Sequence, residues 1–358
     1  MKKKRKIWIW YGLVLFLFSS LLLGLEHRFL LIWDQFKNKI LAKTFALSSP
    51  PQTEPVLKNT GEIGRLRNTV KNLKGFIVWS SNRTSNHEIW LMTLPDLFLK
   101  QLTHHPNADT FPRISRDGTR ILFCRSHKEN ASQRDAVPWD VYIMDIKTQH
   151  EQLMAKDSFA PSWSNKGEKI YFEKEVTQFW EKDLQTGEEK MLFKSGMPPV
   201  PGNIRLESPS FNEKEQMLAV TLRGSMRRQM LFSLKGEKKD AGGGCQIAWS
   251  PKGDYLYYVD KGGKKGTSFY KLVPGTGEVI SWFDSPGAYS HDYFPSVSFD
   301  GNYLVYASSE GGHEHDRADY EIFLWKINSD PYECVRVTYH SANDCWPDMW
   351  LEREKIEN

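Results

Sequence analysis

The segment GGHEHDRADYE from Gly311 sets His313 and His315 two residues apart, so that in an extended loop both imidazoles project to the same side. With His291 and His340 they are candidate ligands for a divalent transition metal, because imidazole nitrogens beside carboxylates suit such an ion. Asp109, Asp292 and Asp344 each stand three residues before a proline, and His105 lies just ahead of the first. These four could also serve a ligand-binding face. The same residues read equally as turn chemistry, with the aspartates capping loop N–H groups and the histidines as ordinary loop side chains. No G-x-S-x-G elbow, H-E-x-x-H pair, C-x-x-C or P-loop occurs, and paired carboxylates are too numerous to single out. No cofactor is expected apart from that metal.

What must position these residues is a repeat. DTFPRISRDGTRILF from Asp109 and DYFPSVSFDGNYLVY from Asp292 are its fullest copies; SFAPSWSNKGEKIYF from Ser158, ESPSFNEKEQMLAV from Glu207 and CQIAWSPKGDYLYYV from Cys245 lie between them, and NDCWPDMWL from Asn343 is the last. Anchored on the proline, with Ile247 in its place once, the copies fall at 112, 161, 209, 247, 295 and 347. That spacing leaves room for four short strands and their turns, which is one propeller blade. Asp117-Gly118, Asp300-Gly301, Lys166-Gly167 and Lys252-Gly253 supply hairpin turns between apolar runs. The proline is expected at the mouth of the first strand, where a missing N–H is tolerated. Third strands follow, such as WDVYIMDI from Trp139 and YEIFLWKI from Tyr320.

The fold expected is therefore all-β, a six-bladed β-propeller. GFIVWSS from Gly75 is a second strand with no first strand before it, and NDCWPDMWL is a first strand with no second, so 343–351 is expected to close the blade begun at Gly75. On this map His87, His104, His105, His127, His291, His313, His315 and His340 fall on one face, in three adjacent blades beside the seam.

Trp163-Ser164, Trp249-Ser250-Pro251 and Tyr142-Ile143-Met144-Asp145 resemble the TolB-type propeller repeat, P-x-W-S-P-D-G followed by a strand and later an I-Y-x-x-D strand. The resemblance covers about residues 75 to 351 and implies the fold, since the repeat is scaffold rather than site. TolB proteins carry a separate α/β domain ahead of the propeller, and residues 26–74 are too few for one. Some uronate lyases resemble the same repeat and use histidine ligands.

Lys2, Lys3, Lys4, Arg5 and Lys6 precede an uncharged run from Ile7 to Leu25. As a helix that run rises about 28 Å, close to the roughly 30 Å of bilayer hydrocarbon, and Trp8, Trp10 and Tyr11 suit an interfacial belt. The expected organisation is a basic tail and transmembrane signal-anchor at 1–25, a juxtamembrane helix to about Phe45 and a linker within 26–74, the propeller at 75–351 and a tail at 352–358. Positive charge before the span keeps the N-terminus cytoplasmic and places the propeller in the periplasm or another extracytoplasmic space.

The formal charge is +4, of which five positive charges lie before Ile7, so the remainder is close to neutral and offers no nucleic-acid surface. Cys124, Cys245, Cys334 and Cys345 are expected as buried thiols, although an extracytoplasmic address permits disulfides. Two functions follow. The first is a non-catalytic module, membrane-bound through its N-terminal helix, that binds an envelope protein, peptide or cell-wall polymer. The alternative is a metal-dependent polysaccharide lyase or hydrolase using the histidine-rich face.

Overall fold

Alternating apolar residues and glycine turns fold each copy of the repeat into antiparallel hairpins. The computed structural model describes residues 60–352 except 133, 134, 265, 316 and 317, all within the unit Thr53–Asn358. The architecture is an all-β propeller. One four-stranded sheet joins the two ends of the propeller, in the order Asp344–Leu351, Gly75–Ser81, Glu88–Leu94 and Leu99–Gln101. A second runs Asn107–Ile114, Arg120–Glu129, Trp139–Asp145 and Glu151–Ala155; a third spans Ser158–Trp163 to Glu189–Lys194; a fourth spans Ile204–Asn212 to Lys238–Gly242.

Six separate blades were expected, and four separate four-stranded sheets are found. The remaining eight strands, Cys245–Trp249 to Val335–Arg336, form one sheet, joined by a single parallel pair, Thr267 with His291. Gly266 permits the junction: a Cβ there would lie 2.6 Å from the Ser290 carbonyl oxygen, whose residue accepts the Thr267 N–H at 3.2 Å.

The anchor prolines do not stand at strand mouths. Each lies inside its innermost strand at a β-bulge, where the pairing register shifts by one residue; Ile247 holds the same place in the remaining copy. The residue before the anchor is left-handed in all six: Phe111 (φ 60°), Ala160 (47°), Ser208 (50°), Gln246 (54°), Phe294 (55°) and Trp346 (54°). A proline costs no ladder bond here, because the innermost strand is a sheet edge and its free side faces the axis.

The core consists of apolar slabs between neighbouring sheets. Val78, Ile89 and Leu91 pack on Ile114, Ile121 and Phe123, and Phe179 and Phe193 pack on Leu218, Val220 and Phe232. A helix at Thr60–Val70, unforeseen within the expected linker, has Glu62 in its first turn and Arg67 in its last. It buries Leu66 and Val70, and Arg65 donates to the Tyr332 carbonyl at 2.7 Å. The spacing of Ile63, Leu66 and Val70 was the available signal, diluted by the polar residues around it. Among the described residues no helix is long and apolar enough to cross a membrane. The expected span Ile7–Leu25 and juxtamembrane helix lie outside the described residues, as do 353–358.

The seam is locked by charge. The Arg83 guanidinium donates to Asp344 Oδ2 at 2.8 Å, with the two side chains 4% and 0% exposed, and lies over Trp90 at 4.9 Å and Trp79 at 5.5 Å. Asn82 Oδ1 accepts the Asn343 N–H at 2.8 Å. Arg83→Ala leaves a buried carboxylate without its cation and should lower stability by about 3–5 kcal/mol, read from guanidinium unfolding of the full chain in detergent. A loss under about 1 kcal/mol would mean that the pair behaves as a surface ion pair and does not hold the seam.

Candidate functional site in the central channel

The aspartates read from sequence are all fully buried. Asp109 binds Arg125 bidentately, at 2.7 Å for each contact, and Arg125 also reaches Glu151 at 2.7 Å. Asp344 serves the seam. Asp292 Oδ2 accepts the Ser285 N–H at 3.0 Å. Burial pushes the Asp292 carboxyl up to about 7, against the opposing effect of Ser308 and Ser285.

His105 and His340 are equivalent turn residues. His105 Nδ1 accepts the Asn107 N–H at 3.0 Å, and His340 Nδ1 accepts the Ala342 N–H at 3.1 Å. Their own N–H groups donate to Glu88 and Glu321, both at 2.8 Å. The two glutamates also take the hydroxyls of Thr103 and Thr338, so one loop clamp is written twice. The His291 and His313 rings lie 6.3 Å apart, and the His291 pKa is lowered by burial and by His313. His315 packs edge-on against Tyr293 at 4.5 Å and Phe294 at 4.9 Å. Among the described residues, His291, His313, His315 and His340 do not assemble into a group of metal-capable side chains; one group that does is His127, Asp140 and Asp157.

A cavity of about 330 Å³ occupies the central channel. It is lined by all six left-handed bulge residues and extends to Asn165, Lys214 and Lys252 in the hairpin turns. These turns sit at the opposite ends of the strands from the loops that carry His105, His291, His313, His315 and His340. On the seam side the bulge residues are large, with the Phe111 and Phe294 rings 4.2 and 4.4 Å from Trp346. On the other side they are Ala160, Ser208 and Gln246, which leaves space. Gln246 Oε1 accepts the Phe294 N–H at 2.7 Å across the gap between two repeats.

The position after each anchor is Arg113, Ser162, Ser210, Ala248, Ser296 and Asp348. Two charges among small residues are the signal that the sequence carries for this site. The Arg113 guanidinium stacks over Phe111 at 4.1 Å. Asp348 accepts the Ile114 N–H at 2.8 Å and the Ser296 hydroxyl at 2.7 Å. Burial lowers the Arg113 pKa and raises that of Asp348, and each charge opposes the shift of the other. The channel thus offers aromatic surface, serine hydroxyls and two opposite charges, a lining suited to holding a polar ligand.

No family model matches the chain, and no curated protein matches it. TolB from Acinetobacter baumannii is a similar solved structure, with a TM-score of 0.57 at 16% identity over 77% of this chain; the match spans 66% of that protein, just under two thirds of its length. A putative TolB from Agrobacterium tumefaciens gives 0.51 at 14% identity, over 75% of this chain and 89% of that one. Kuenenia stuttgartiensis hydrazine synthase gives 0.54 at 11% identity, over 85% and 50%. At these identities the likeness is one of fold, a TolB-like β-propeller.

The raised Asp292 pKa makes a pH prediction. A carboxyl that holds its proton more tightly when folded contributes stability that is present below its unfolded value, near 4, and is lost as pH rises toward 7. Asp292→Asn should flatten that decline, by at most about 1.4 kcal/mol per pH unit. Unfolding measured from pH 4 to 8 checks it, and parallel wild-type and variant profiles would refute it.

Proposed function

We propose that the chain is a membrane-tethered, non-catalytic binding module whose propeller stands in the periplasm or another extracytoplasmic space and holds an extended segment of an envelope protein in its channel. The observation that carries this reading is the cavity of about 330 Å³ between the six bulges and the hairpin turns. A cavity of that size takes a small ligand or a few residues of a chain molecule, and its reach to Asn165, Lys214 and Lys252 in the hairpin turns favours a segment that continues out of the channel. The run Ile7–Leu25 behind Lys2–Lys6 supports the tether, and the near-neutral remainder gives no reason to expect nucleic acid. The fold shared with TolB structures supports a propeller used as a scaffold. Counting the eight-stranded sheet as two blades joined at Thr267 and His291 makes the ring six-bladed, in step with its six bulges.

A photo-crosslinking residue in place of Lys214 at the channel mouth, in the full chain within its native envelope, tests the reading. Lys214 is 85% exposed, so the change spares the fold. A discrete, protease-sensitive adduct is expected, reduced at least about tenfold by Ser162→Trp, which fills the cavity from its wall. An adduct destroyed by glycan hydrolases instead would assign the channel to a cell-wall polymer. Equal adducts from a probe at Val279, on an exposed outer strand, would overturn the assignment. The second reading, metal-dependent lyase or hydrolase chemistry on His291, His313, His315 and His340, has the approach of His291 to His313 in its favour. It requires metal-dependent turnover of an oligosaccharide that His313→Ala and His315→Ala abolish.

A further inference from the structure

We infer that His127, Asp140 and Asp157 form a binding site for a divalent transition cation, of the Mn²⁺ or Zn²⁺ type, where the second sheet passes to the third. The topology brings them together from three segments. Arg125 pairs with Asp140 and Ser126 with Trp139 across the hairpin, and the His127 N–H donates to the Pro138 carbonyl at 3.0 Å. His127 and Asp140 are therefore diagonal neighbours on one face of the sheet, within reach of long side chains. Asp157 sits in the turn between Glu151–Ala155 and Ser158–Trp163, and its N–H donates to Asp140 Oδ1 at 3.0 Å.

The geometry is that of a ligand set. His127 Nε2 and Asp140 Oδ2 are 2.9 Å apart, about the separation of adjacent ligands on a cation with bonds of about 2.1 Å. One ligand atom from each of the three residues lies within 4.8 Å of the others. Asp140 is 8% exposed, and the Asp157 N–H fixes its carboxylate as an outer hydrogen bond does for a metal ligand. The Asp157 carboxylate itself has no hydrogen bond or ion pair among the described residues and is exposed, so it can swing inward to complete the set.

Charge favours a cation here. Arg125, the cross-strand partner of Asp140, does not neutralise the pair, since Asp109 and Glu151 take its guanidinium. One imidazole with two carboxylates suits a borderline cation, with waters filling the remaining positions. The site does not depend on what the channel holds, and it is separate from His291 and His313.

Titration of the full chain in detergent with Mn²⁺, followed by loss of the free-ion electron paramagnetic resonance signal, tests this. Close to one equivalent should bind saturably. His127→Ala and Asp157→Asn, both at exposed positions, should weaken binding about tenfold or more, with far-UV circular dichroism unchanged. His313→Ala should bind as the wild type does. Added Mn²⁺ should also raise the melting temperature of the wild type and of His313→Ala but not that of Asp157→Asn. Absence of saturable binding, or equal affinity in His127→Ala and Asp157→Asn, would overturn the assignment. So would loss of binding in His313→Ala alone.

Discussion

A left-handed residue on every innermost strand is the constraint on which the ring depends. For a residue with a Cβ this conformation costs about 1–2 kcal/mol, and a following proline does not favour it. It persists because the surroundings impose it six times. The bulge shifts the register of the innermost strand, bends it about the axis and turns one side chain per repeat into the channel. It also leaves the strand's free edge facing the axis, where the packed channel shields it from pairing with another chain. Contacts between repeats brace the arrangement: Gln246 accepts the Phe294 N–H at 2.7 Å, Trp163 donates to the Arg113 carbonyl at 2.8 Å, and Ser296 donates to Asp348 at 2.7 Å.

Closure at the seam follows from the same geometry. The sheet that joins the two ends takes its innermost strand from Asp344–Leu351 and its other three from the start of the propeller, so its bulge at Trp346 is made by the last part of the chain. A strand added so late in sequence has no hairpin to hold it. The buried pair of Arg83 with Asp344 and the bond between Asn82 and Asn343 do what a covalent turn does elsewhere. The Phe111, Phe294 and Trp346 rings then tie three repeats together over that join.

The repeat was legible because its signals are local. Asp117-Gly118 and Asp300-Gly301 name their turns, and the apolar runs after them alternate with strand period. The bulges were not legible, since a proline after an aromatic or small residue carries no mark of the sign of φ, and the same letters read as a strand mouth. The junction of two repeats into one sheet depends on the close approach of Gly266 to Ser290, a relation between distant segments that no local pattern encodes. The aspartates before the prolines were visible as residues. Their work was not, because Arg125 and Arg83 reach Asp109 and Asp344 only after the sheets form. The histidine pattern points to His313, whose ring is largely exposed, whereas the charges that line the cavity, Arg113 and Asp348, are single letters inside a scaffold repeat.

Repetition and function pull against each other in such a ring. Where the six copies agree, at the turns, the apolar runs and the left-handed bulge, the residues serve the scaffold. Where they differ, the channel acquires a direction. Large rings fill the bulge position in the repeats flanking the seam, and Ala160, Ser208 and Gln246 occupy it opposite, so six like bulges enclose a cavity with unlike walls. Arg113 and Asp348 break a series of serines and alanine beside that cavity, where burial makes each charge depend on the other. A channel lined by six identical bulge residues would present equivalent walls to a ligand and fix no orientation. The broken one offers an aromatic wall, an open wall and a charged pair, which are the elements needed to hold a ligand in one orientation.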